Sequence, residues 1–584
     1  MPAQRFIISL LTVLLLAPPA ALPASEPYPA EPVIRPAAVD VLTETWRAAE
    51  ITFESANTYP HPLAAPELNV VFMSPSGKPY RVPGFWDGGK TWRVRFAPTE
   101  YGVWKYVSTC ANGADAGLQG KRGTLGANRY RGPLEIYRHG FVKTAPGVRY
   151  FLYADNTPFF YLGDTHWSMP REPFEEMFKV IVDKRVARGF TVYQSEPLGA
   201  KYNFADGFSA ADLPGLRDLD RRFKYIADAG LVHANAELFF PPEIIKPCYT
   251  DAYLKQLCRL WVARFGAYPV LWTSGQEVDN DFYFDRGDRR YFDANTNPWK
   301  QVLAWVHEYD PYPQPGTAHM EFMGNQPEPK VLPPVNERPK YGYGVLASTS
   351  SFRQVPGHTW YAVQWTPPHD SGINWPPVKD FWENGQGQPV VNYEGSYDHL
   401  WTLNEGARQQ GWTAYLNGMF GHGYGAVDIW YHDSQYDMDK DSVRGTVTVT
   451  VAQKQTKWTN SVDFPSATEL GVHLKNFFTT LEWWKLTPRF GDPGWFKAEN
   501  SAGYSLATID SDVYVLYLYN WAATTTGVLR HLRNTLYAAK WFNPRTGAYT
   551  DLGTITPERE AQGEGYRWKI PNKPTTSDWV LLVK

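Results

Sequence analysis

The alternation of apolar and polar residues changes twice along the chain and divides it into three zones. From about Val33 to Tyr130, short runs such as AAEITFES, TWRVRFAP and GVWKYVST alternate in polarity and are separated by Pro, Gly and Asn. The last zone, about Pro488 to Lys584, alternates in the same way in VYVLYLYNW and DWVLLVK. Period-two alternation with this turn punctuation predicts a β-sandwich at each end, Ig-like over residues 33–130 and a second one over 488–584.

Between these sandwiches, over residues 140–475, strand-like runs alternate with helical ones. PFFYLGD precedes REPFEEMFKVIVDKRVARG, whose apolar residues recur at helical spacing up to Gly189. Strand runs FTVYQSE, LVHANAE and VLWTSGQE follow, each with a helical run behind it, and the less regular GTAHM, TWYAVQW, PVVNYE and AVDIWYH complete eight. Eight successive β/α units predict a closed (β/α)8 TIM barrel. An open doubly wound sheet is the competing arrangement, and the lack of a Gly-rich phosphate loop after the first strand counts against it.

The first 25 residues have the pattern of a cleaved export signal. MPAQRFIISLLTVLLLAPPAALPASEP combines a short basic start, an apolar run and small residues near Ala24. The apolar run is too short and too interrupted by proline for a membrane span, and no later stretch is long and apolar enough for one. Residues 1–25 are therefore a predicted signal peptide, and we expect a secreted or periplasmic protein without membrane insertion.

Composition narrows the function classes. With 57 basic and 60 acidic residues, a net charge of -3 leaves no basic footprint for nucleic acid. Three cysteines are too few for a disulfide scaffold, although Cys248 and Cys258 could pair and leave Cys110 alone. The 24 Trp and 36 Tyr residues fit large apolar cores, and also the stacking of aromatic rings on sugar faces.

Polar side chains follow the predicted barrel strands, at the end where the catalytic groups of such barrels lie. The candidates for substrate contact are Asp164, His166, Trp167, Glu196, Glu237, His319, Gln364, Tyr397 and Trp430. Some of these residues also have a purely structural explanation. Asp164 can cap the following helix, and His319 can be a buried core histidine. Glu196 and Glu237 can form hydrogen bonds with each other or with an arginine. Because so many polar strand ends are costly to bury together, their number indicates that a substrate uses them.

Two carboxyl residues come directly after apolar strands, Glu277 after the fourth and Glu394 after the seventh. Glycoside cleavage needs such a pair, one residue as proton donor to the leaving oxygen and the other as nucleophile or base. We therefore predict that Glu277 and Glu394 are catalytic.

Other chemistries have weaker support. The run DMDKDSVRGTVT from Asp437 has Asp at three calcium-loop positions, but it lacks Gly at the sixth and Glu at the twelfth. The chain contains no H-E-x-x-H motif, no Cys/His cluster and no G-x-S-x-G elbow in a strand–turn–helix setting. No metal and no cofactor are predicted.

At these residues the chain resembles a known family. FFYLGDTHWSMP, GQEVDN, PVVNYEGSYD and GMFGHGYGAVDIWYH are similar to the apiosidase-like catalytic domain of glycoside hydrolase family 140 and its relatives. The resemblance implies a barrel with the acid/base, here Glu277, at strand 4 and the nucleophile, here Glu394, at strand 7. The N-terminal FWDGGKTWRVRFAPTEYGVWKY resembles an Ig-like domain that precedes such barrels, and the C-terminal zone resembles a sandwich named for collagen binding.

The chain departs from this family at strand 4. The family commonly has Gly-Gly-Asp where this chain has Gly275, Gln276 and Glu277. The reaction type survives this change, but apiose as the substrate does not follow. We expect a glycosidase acting on a plant or algal polysaccharide or its side chains, with retention implied by the resemblance. A non-catalytic carbohydrate-binding protein on a barrel scaffold and a polysaccharide lyase are the alternatives, and the sequence indicates no oligomeric state.

Overall fold

The structure is a computed structural model of the 584-residue chain. It describes residues 31–197, 204, 206–235, 248–278, 297–320, 349, 352–365, 375–399, 402, 404–429, 442–444, 447–449, 457–499, 503–519, 526–560 and 565–584. The predicted signal peptide lies outside the described residues. In the described ranges, no helix combines the length and the apolar character that a membrane crossing needs.

The N-terminal unit consists of two packed sheets. Its strands are β1 Val41–Glu44, β2 Ala49–Glu54, β3 Asn69–Met73, β4 Pro79–Pro83, β5 Phe85–Trp86, β6 Thr91–Phe96, β7 Gly102–Thr109 and β8 Arg122–Asn128. One sheet has the order β1-β8-β7-β3-β4 and the other β2-β6-β5. In β2 buried and exposed residues alternate strictly, as expected for a strand with one face in the core. This alternation produces the predicted sandwich.

A short connection leads into the barrel. It contains helix α1 Glu135–Arg138 and the small sheet of β9 Val142–Lys143, β10 Phe151–Tyr153 and β11 Pro158–Phe159. The barrel strands are β12 Tyr161–His166, β13 Val192–Ser195, β14 Val232–Asn235, β15 Val270–Thr273, β16 Gly316–Thr317, β17 His319–Met320, β18 Tyr361–Gln364, β19 Val390–Glu394 and β20 Gly421–Tyr424. Neighbouring strands are parallel, and β12 pairs with both β13 and β20. Because only Ala318 separates β16 from β17, these nine segments form an eight-position closed barrel, which confirms the predicted fold class.

Helices alternate with the barrel strands. They are α2 Lys179–Ala187, which follows a π-helical turn at Phe174–Phe178, α3 Leu213–Asp228, α4 Asp251–Phe265, α5 Trp299–Tyr309, α6 Trp375–Asn384 and α7 Asn404–Leu416. Gly189 has φ of 85° shortly after a helix end, as its predicted position at the end of the first helix requires, and Gly230 has the same φ after α3. The first four predicted strand–helix units are therefore confirmed.

The eighth barrel strand lies upstream of its predicted position. We expected it at AVDIWYH, but β20 lies just upstream, at Gly421–Tyr424. Two of its four residues are glycines, which have low strand propensity and which sequence patterns assign to turns. A Cβ atom on Gly423 would lie 2.2 Å from the Tyr393 carbonyl oxygen, so close packing of β20 against β19 requires glycine there.

The C-terminal unit is again a sandwich. A strand pair, β21 Ser442–Arg444 and β22 Val447–Val449, and the helices α8 Trp458–Ser461, α9 Pro465–Thr468 and α10 Lys475–Thr479 precede it. Its strands are β23 Thr487–Pro488, β24 Phe496–Ala498, β25 Tyr504–Ile509, β26 Val513–Leu518, β27 Gly527–Leu532, β28 Tyr537–Phe542, β29 Tyr549–Ile555, β30 Glu558–Arg559, β31 Tyr566–Ile570 and β32 Trp579–Val583. They form sheets of order β23-β25-β26-β32-β28-β29 and β24-β27-β31-β30.

Buried ion pairs join the barrel to both sandwiches. On the N-terminal side, Asp220 of α3 accepts from Arg95 at 2.6 Å and from Arg264 at 2.5 Å. On the C-terminal side, Arg408 of α7 donates to both Asp578 carboxylate oxygens, at 2.8 and 2.9 Å. The apolar core of the barrel also continues into β25, β26, β28 and β32. The barrel therefore covers one face of each sandwich.

Candidate active site

Glu277 lies on a short segment that leaves β15 and is hydrogen-bonded to the fifth barrel position. The backbone N–H of Ser274 donates to Thr317 at 2.8 Å, and the N–H of His319 donates to Gly275 at 3.0 Å. A Cβ on Gly275 would lie 2.8 Å from the Trp299 indole, so the chain passes too close to that ring for a larger residue. Glu277 itself is half-buried and has φ of 43°. The segment thus directs the Glu277 side chain toward Gln364, at the end of β18.

Glu394 ends β19 and is buried, with 7% of its surface exposed. Its Oε1 accepts from the Tyr397 hydroxyl and from the Trp167 indole N–H, the latter at 3.3 Å. Its Oε2 accepts from Gln276 Nε2 at 3.3 Å and from Gln364 Nε2 at 3.2 Å. Four donors around one carboxyl group favour its ionised form. Such a group is suited to attack as a nucleophile.

The Gln364 amide connects the two predicted catalytic carboxyls. Its Nε2 lies 2.5 Å from Glu277 Oε1 and 3.2 Å from Glu394 Oε2, so these two oxygens are at most about 5.7 Å apart, the sum of the two distances. Gln364 reaches this place because the register of β18 against β19 shifts between Val363 and Gln364, which sets Gln364 opposite Glu394. The structure thus brings Glu277, Glu394 and Gln364 together.

His319 lies beside the same carboxyl as an uncharged ring. Its Nε2 is 3.7 Å from Glu394 Oε2, and the side chain is fully buried. Burial lowers the pKa of His319 to about 3, so the imidazole is neutral at physiological pH. The Trp167 ring stacks over it, with centroids 6.3 Å apart. His319 is therefore both a core residue and a neighbour of Glu394.

Asp164 and His166 form a buried ion-paired group. His166 Nε2 lies 2.8 Å from Asp164 Oδ2, and Arg185 donates to the same oxygen at 2.6 Å. Burial opposes the charged imidazole, but the charge of Asp164 and the neighbouring Glu172 raise the pKa of His166 to about 9. Arg185 and His166 hold the pKa of Asp164 below its usual value despite its burial. Asp164 and His166 thus bind each other, Arg185 and Glu172. These contacts fix the end of β12, which Trp167 follows directly.

Glu196 is a third carboxyl close to the pair. It follows β13 and is 9% exposed. Burial, and then the charges of Glu394 and Glu277, raise its pKa well above the usual range. Seven of the nine predicted substrate-contact residues are thus described, and Glu196, His319, Gln364, Trp167 and Tyr397 lie around the predicted catalytic pair.

The structure does not describe every predicted residue. Glu237 and Trp430 lie outside the described residues, as does most of the run from Asp437. The possible Cys248–Cys258 bridge is not formed, since all three cysteines are free. Among the described residues, no group of three or more His, Cys, Asp or Glu side chains is arranged to hold a metal.

Sequence reasoning missed the role of Gln276. Its amide donates to Glu394, and the next residue in the chain, Glu277, accepts from the same Gln364 amide that contacts Glu394. Its position at a strand end, immediately before a predicted catalytic residue, was the available signal.

Comparison with known families decides the identity of this barrel. Residues 145–485, more than half of the chain, match the model described as "Apiosidase-like, catalytic domain". The chain belongs to the apiosidase-like family. The apiosidase-like barrel is preceded by a match to a domain of unknown function over residues 43–111 and followed by one to the "Putative collagen-binding domain of a collagenase" over 496–584. Family membership makes the protein a glycosidase.

Solved structures share the fold of this apiosidase-like protein. A "putative glycoside hydrolase" from Bacteroides vulgatus is 17% identical, with a TM-score of 0.64, and the match covers 93% of this chain and 99% of that one. A glycoside hydrolase family 5 protein from the same organism is 15% identical, with a TM-score of 0.57, over 76% of this chain and 93% of that one. A structure described as "Glycoside hydrolase" is 16% identical, with a TM-score of 0.56, over 76% and 97%. None of the curated proteins compared matches the sequence.

Proposed function

We propose that this protein is a retaining glycosidase that acts on a plant or algal polysaccharide or its side chains, with Glu394 as nucleophile and Glu277 as acid/base. The observation that carries the proposal is the single Gln364 nitrogen that contacts both carboxyls, which limits the oxygen separation to at most about 5.7 Å. Retaining sites place their carboxyls about 5–5.5 Å apart, and inverting sites about 6.5–9.5 Å, to leave room for a water. The short separation supports retention.

The surroundings of each carboxyl fit its proposed role. The hydroxyl of Tyr397, the indole of Trp167 and two amides stabilise negative charge on Glu394, which keeps the nucleophile ionised. Glu277 is more exposed, as a residue that exchanges protons with a leaving group and then with water must be. Gln364 donates to Glu277 Oε1, so the transferable proton belongs on Oε2.

The proposed reaction has two steps. Glu394 attacks the anomeric carbon while Glu277 protonates the departing oxygen, which leaves a glycosyl ester on Glu394. Glu277, now ionised, then removes a proton from water, and the water displaces Glu394 with net retention. The N-terminal pattern supports the further proposal that the enzyme works outside the cytoplasm, where polysaccharides are found.

The role of Glu277 is tested by Glu277→Ala, after the released sugar has been identified by mass spectrometry from branched pectins, arabinogalactans and algal polysaccharides. General acid catalysis contributes roughly 10²–10⁴ in rate when the leaving group is a sugar hydroxyl. The variant should therefore nearly lose turnover of the natural glycoside. It should keep the first step with a dinitrophenyl glycoside, whose leaving group needs little protonation, so that the ester on Glu394 accumulates.

Added azide needs no deprotonation and should restore turnover of Glu277→Ala, giving a glycosyl azide of retained configuration by NMR. Glu394→Ala is the matched control and should give no azide product of retained configuration. Equal slowing of both substrates, without azide rescue, would remove Glu277 from the acid/base role. An inverted natural product from the wild-type enzyme would exclude the retaining mechanism.

A further inference from the structure

Asp398 is a fully buried carboxyl group, four residues after Glu394, to which the proposed reaction gives no role. Its Oδ2 accepts hydrogen bonds from the hydroxyl of Ser466 and, at 3.1 Å, from the hydroxyl of Tyr424. Its Oδ1 lies 2.8 Å from His399 Nδ1. Because Ser466 belongs to α9 and Tyr424 to β20, this one carboxyl joins three parts of the chain.

The backbone of Asp398 is bonded to the segment that follows β20. Its N–H donates to the Gly425 carbonyl at 2.9 Å, and its carbonyl accepts from the Val427 N–H at 3.0 Å. The ring of Tyr397 lies against the same segment, since a Cβ atom on Gly425 would be 2.2 Å from Tyr397 Cδ1. Asp398 and the Tyr397 ring therefore share one support, and the anchoring of Asp398 determines where the Tyr397 hydroxyl lies.

The Tyr397 hydroxyl is the group that connects this anchor to Glu394. It donates to Glu394 Oε1 and accepts from the Trp167 indole N–H at 2.6 Å. A hydrogen bond weakens steeply when its donor moves out of line with the acceptor. A displaced Tyr397 would therefore stabilise the negative charge of Glu394 less.

We infer that Asp398 is a positioning residue, which holds the Tyr397 hydroxyl on Glu394 and so keeps Glu394 ionised. This inference rests on the proposed function, in which an ionised Glu394 is the nucleophile. Asp398 acts through Tyr397, and Ser466 and Tyr424 act through Asp398. A carboxylate suits this position because it only accepts hydrogen bonds and can bind both hydroxyls at one oxygen.

The loss of Asp398 has two effects on Glu394, and they have opposite signs. Removal of a neighbouring negative charge lowers the pKa of a carboxyl, whereas loss of a hydrogen bond to its ionised form raises the pKa. In the described part of the chain, the titratable side chains that face Asp398 are His399, Tyr424 and Glu469, whose pKa is raised by burial and by the charge of Asp398. The direction in which the pKa of Glu394 moves therefore separates positioning from the effect of charge.

Asp398→Ala removes all three side-chain contacts. We expect the acidic limb of the kcat/KM profile to move up by about one pH unit, the lower end of what loss of a hydrogen bond to a charged group gives. The substrate is the best of a panel of 4-nitrophenyl glycosides of neutral pentoses and hexoses. Asp398→Asn removes the same charge but keeps an oxygen for the two hydroxyls, so its limb should move up less. An acidic limb that stays in place in Asp398→Ala, or moves to lower pH, would overturn the inference.

The Tyr397→Phe background shows whether Asp398 acts through Tyr397. Asp398→Ala should not raise the acidic limb further when the Tyr397 hydroxyl is already absent. An equal rise with and without that hydroxyl would mean that Asp398 does not position Tyr397. If Asp398→Ala does not fold, Ser466→Ala takes its place, because it removes one bond to Asp398 without changing a charge. Its limb should also rise, and an unmoved limb would refute the positioning role.

Asp115 supplies the matched control. It is equally buried and accepts from two hydroxyls, those of Ser55 at 2.6 Å and Tyr59 at 2.7 Å, but it lies in the N-terminal sandwich. Asp115→Ala should lower the melting temperature, as Asp398→Ala does, and leave both limbs of the profile in place. An equal movement of the acidic limb in both variants would assign the shift to lost stability and contradict the inference.

An infrared titration makes the inference independent of turnover. The carboxylate band of Glu394, obtained as the difference between a protein and its Glu394→Gln variant, should titrate at higher pH in the Asp398→Ala background than in wild type. Equal titration in the two backgrounds would disprove the positioning role even in an active enzyme. The expected shift in a wild-type protein that cleaves none of the panel or the polysaccharides would contradict the proposed function and leave the role of Asp398 standing.

Discussion

Glu277 adopts a backbone conformation that side chains other than glycine seldom take. Its φ of 43° lies in the left-handed region, which costs roughly 1–2 kcal/mol for an L-residue. The hydrogen bonds of Ser274 and Val278 to the fifth barrel position, at 2.8 and 3.0 Å, hold the segment in place. Strain of this kind persists where the surrounding structure determines the position of a functional group. At Glu277 it directs a carboxyl toward Gln364.

The Tyr397 hydroxyl should control the charge of Glu394. It donates to Glu394 Oε1 and accepts from the Trp167 indole N–H at 2.6 Å, and Tyr397→Phe removes both bonds while the ring stays buried. Loss of a donor destabilises the carboxylate, so the pKa of Glu394 should rise and the acidic limb of the kcat/KM profile should move to higher pH. A hydrogen bond to a charged group contributes about 1.5–3 kcal/mol, which corresponds to a loss of roughly 10–100-fold in kcat/KM.

Tyr193→Phe is the control for this prediction. Tyr193 is equally buried, but among the described residues its hydroxyl has no hydrogen-bond partner. Its variant should keep the wild-type profile. A Tyr397→Phe enzyme whose acidic limb does not move would show that Tyr397 does not stabilise the charge of Glu394.

At the scale of the elements, the site depends on irregular strands. The register shift in β18 places Gln364 opposite Glu394, and the glycines of β20 let that strand approach β19 closely. Without the register shift in β18, Gln364 would not lie opposite Glu394. Without the glycines of β20, that strand could not approach β19 as closely. The arrangement around Glu277 and Glu394 therefore relies on positions that weaken the strand signal in the sequence.

Gly423→Ala tests the close packing of β20. The new Cβ would lie 2.2 Å from the Tyr393 carbonyl oxygen and 2.5 Å from Gln194 Oε1, and the carbonyl belongs to a barrel strand that cannot move freely. Overpacking of this kind costs about 1–3 kcal/mol, so the melting temperature should fall, and activity should fall with it because Tyr393 precedes Glu394. Gly113→Ala, where nothing lies within 4 Å of the new Cβ, should melt like the wild type. Equal melting of the two variants would contradict the packing argument.

At the scale of the whole molecule, a buried charge pair joins the barrel to the C-terminal sandwich. Arg408 contacts Glu469 as well as Asp578, and Tyr517 also donates to Asp578, at 2.7 Å. Both partners of the pair are almost completely enclosed. Separation of the sandwich from the barrel would leave the Arg408 guanidinium without the Asp578 carboxyl, which lies immediately before β32. The C-terminal unit is therefore expected to stabilise the catalytic barrel.

Asp578→Asn should destabilise the protein by about 3–5 kcal/mol, as removal of one member of a buried pair does. Arg408 holds the pKa of Asp578 below its unfolded value despite burial. The stabilisation is therefore fully present above the unfolded pKa of about 4 and is lost as the pH falls through the lower, folded value. Melting temperatures of wild type and variant should differ most near neutral pH and converge in strong acid.

The exposed Asp551, whose carboxyl lies 3.8 Å from Lys540, supplies the control. Asp551→Asn should change the melting temperature little at any pH, because surface ion pairs contribute at most about 1 kcal/mol. A melting temperature of Asp578→Asn equal to that of Asp551→Asn would mean that the buried pair does not stabilise the junction.

Polarity patterns and chain order determined the three-zone organisation and the barrel. They also determined that Glu277 and Glu394 belong to the same rim, because parallel strands in a closed barrel end on one face. These conclusions need only local periodicity and the position of each residue relative to its own strand. For the same reason the patterns misplaced β20. Its two glycines allow close contact with a neighbouring strand, whereas the local sequence pattern of glycine indicates a turn.

The tertiary structure alone decided the chemistry of the individual groups. The contact of Gln364 with both Glu277 and Glu394 depends on a register shift in β18, and the contact of Gln276 depends on a turn after β15. Charge states depend on burial and on neighbours distant in sequence: Glu394 and Glu277 act on Glu196, and Asp164 acts on His166. Distances and burial arise when the chain closes into a barrel, so no local pattern in the sequence contains them.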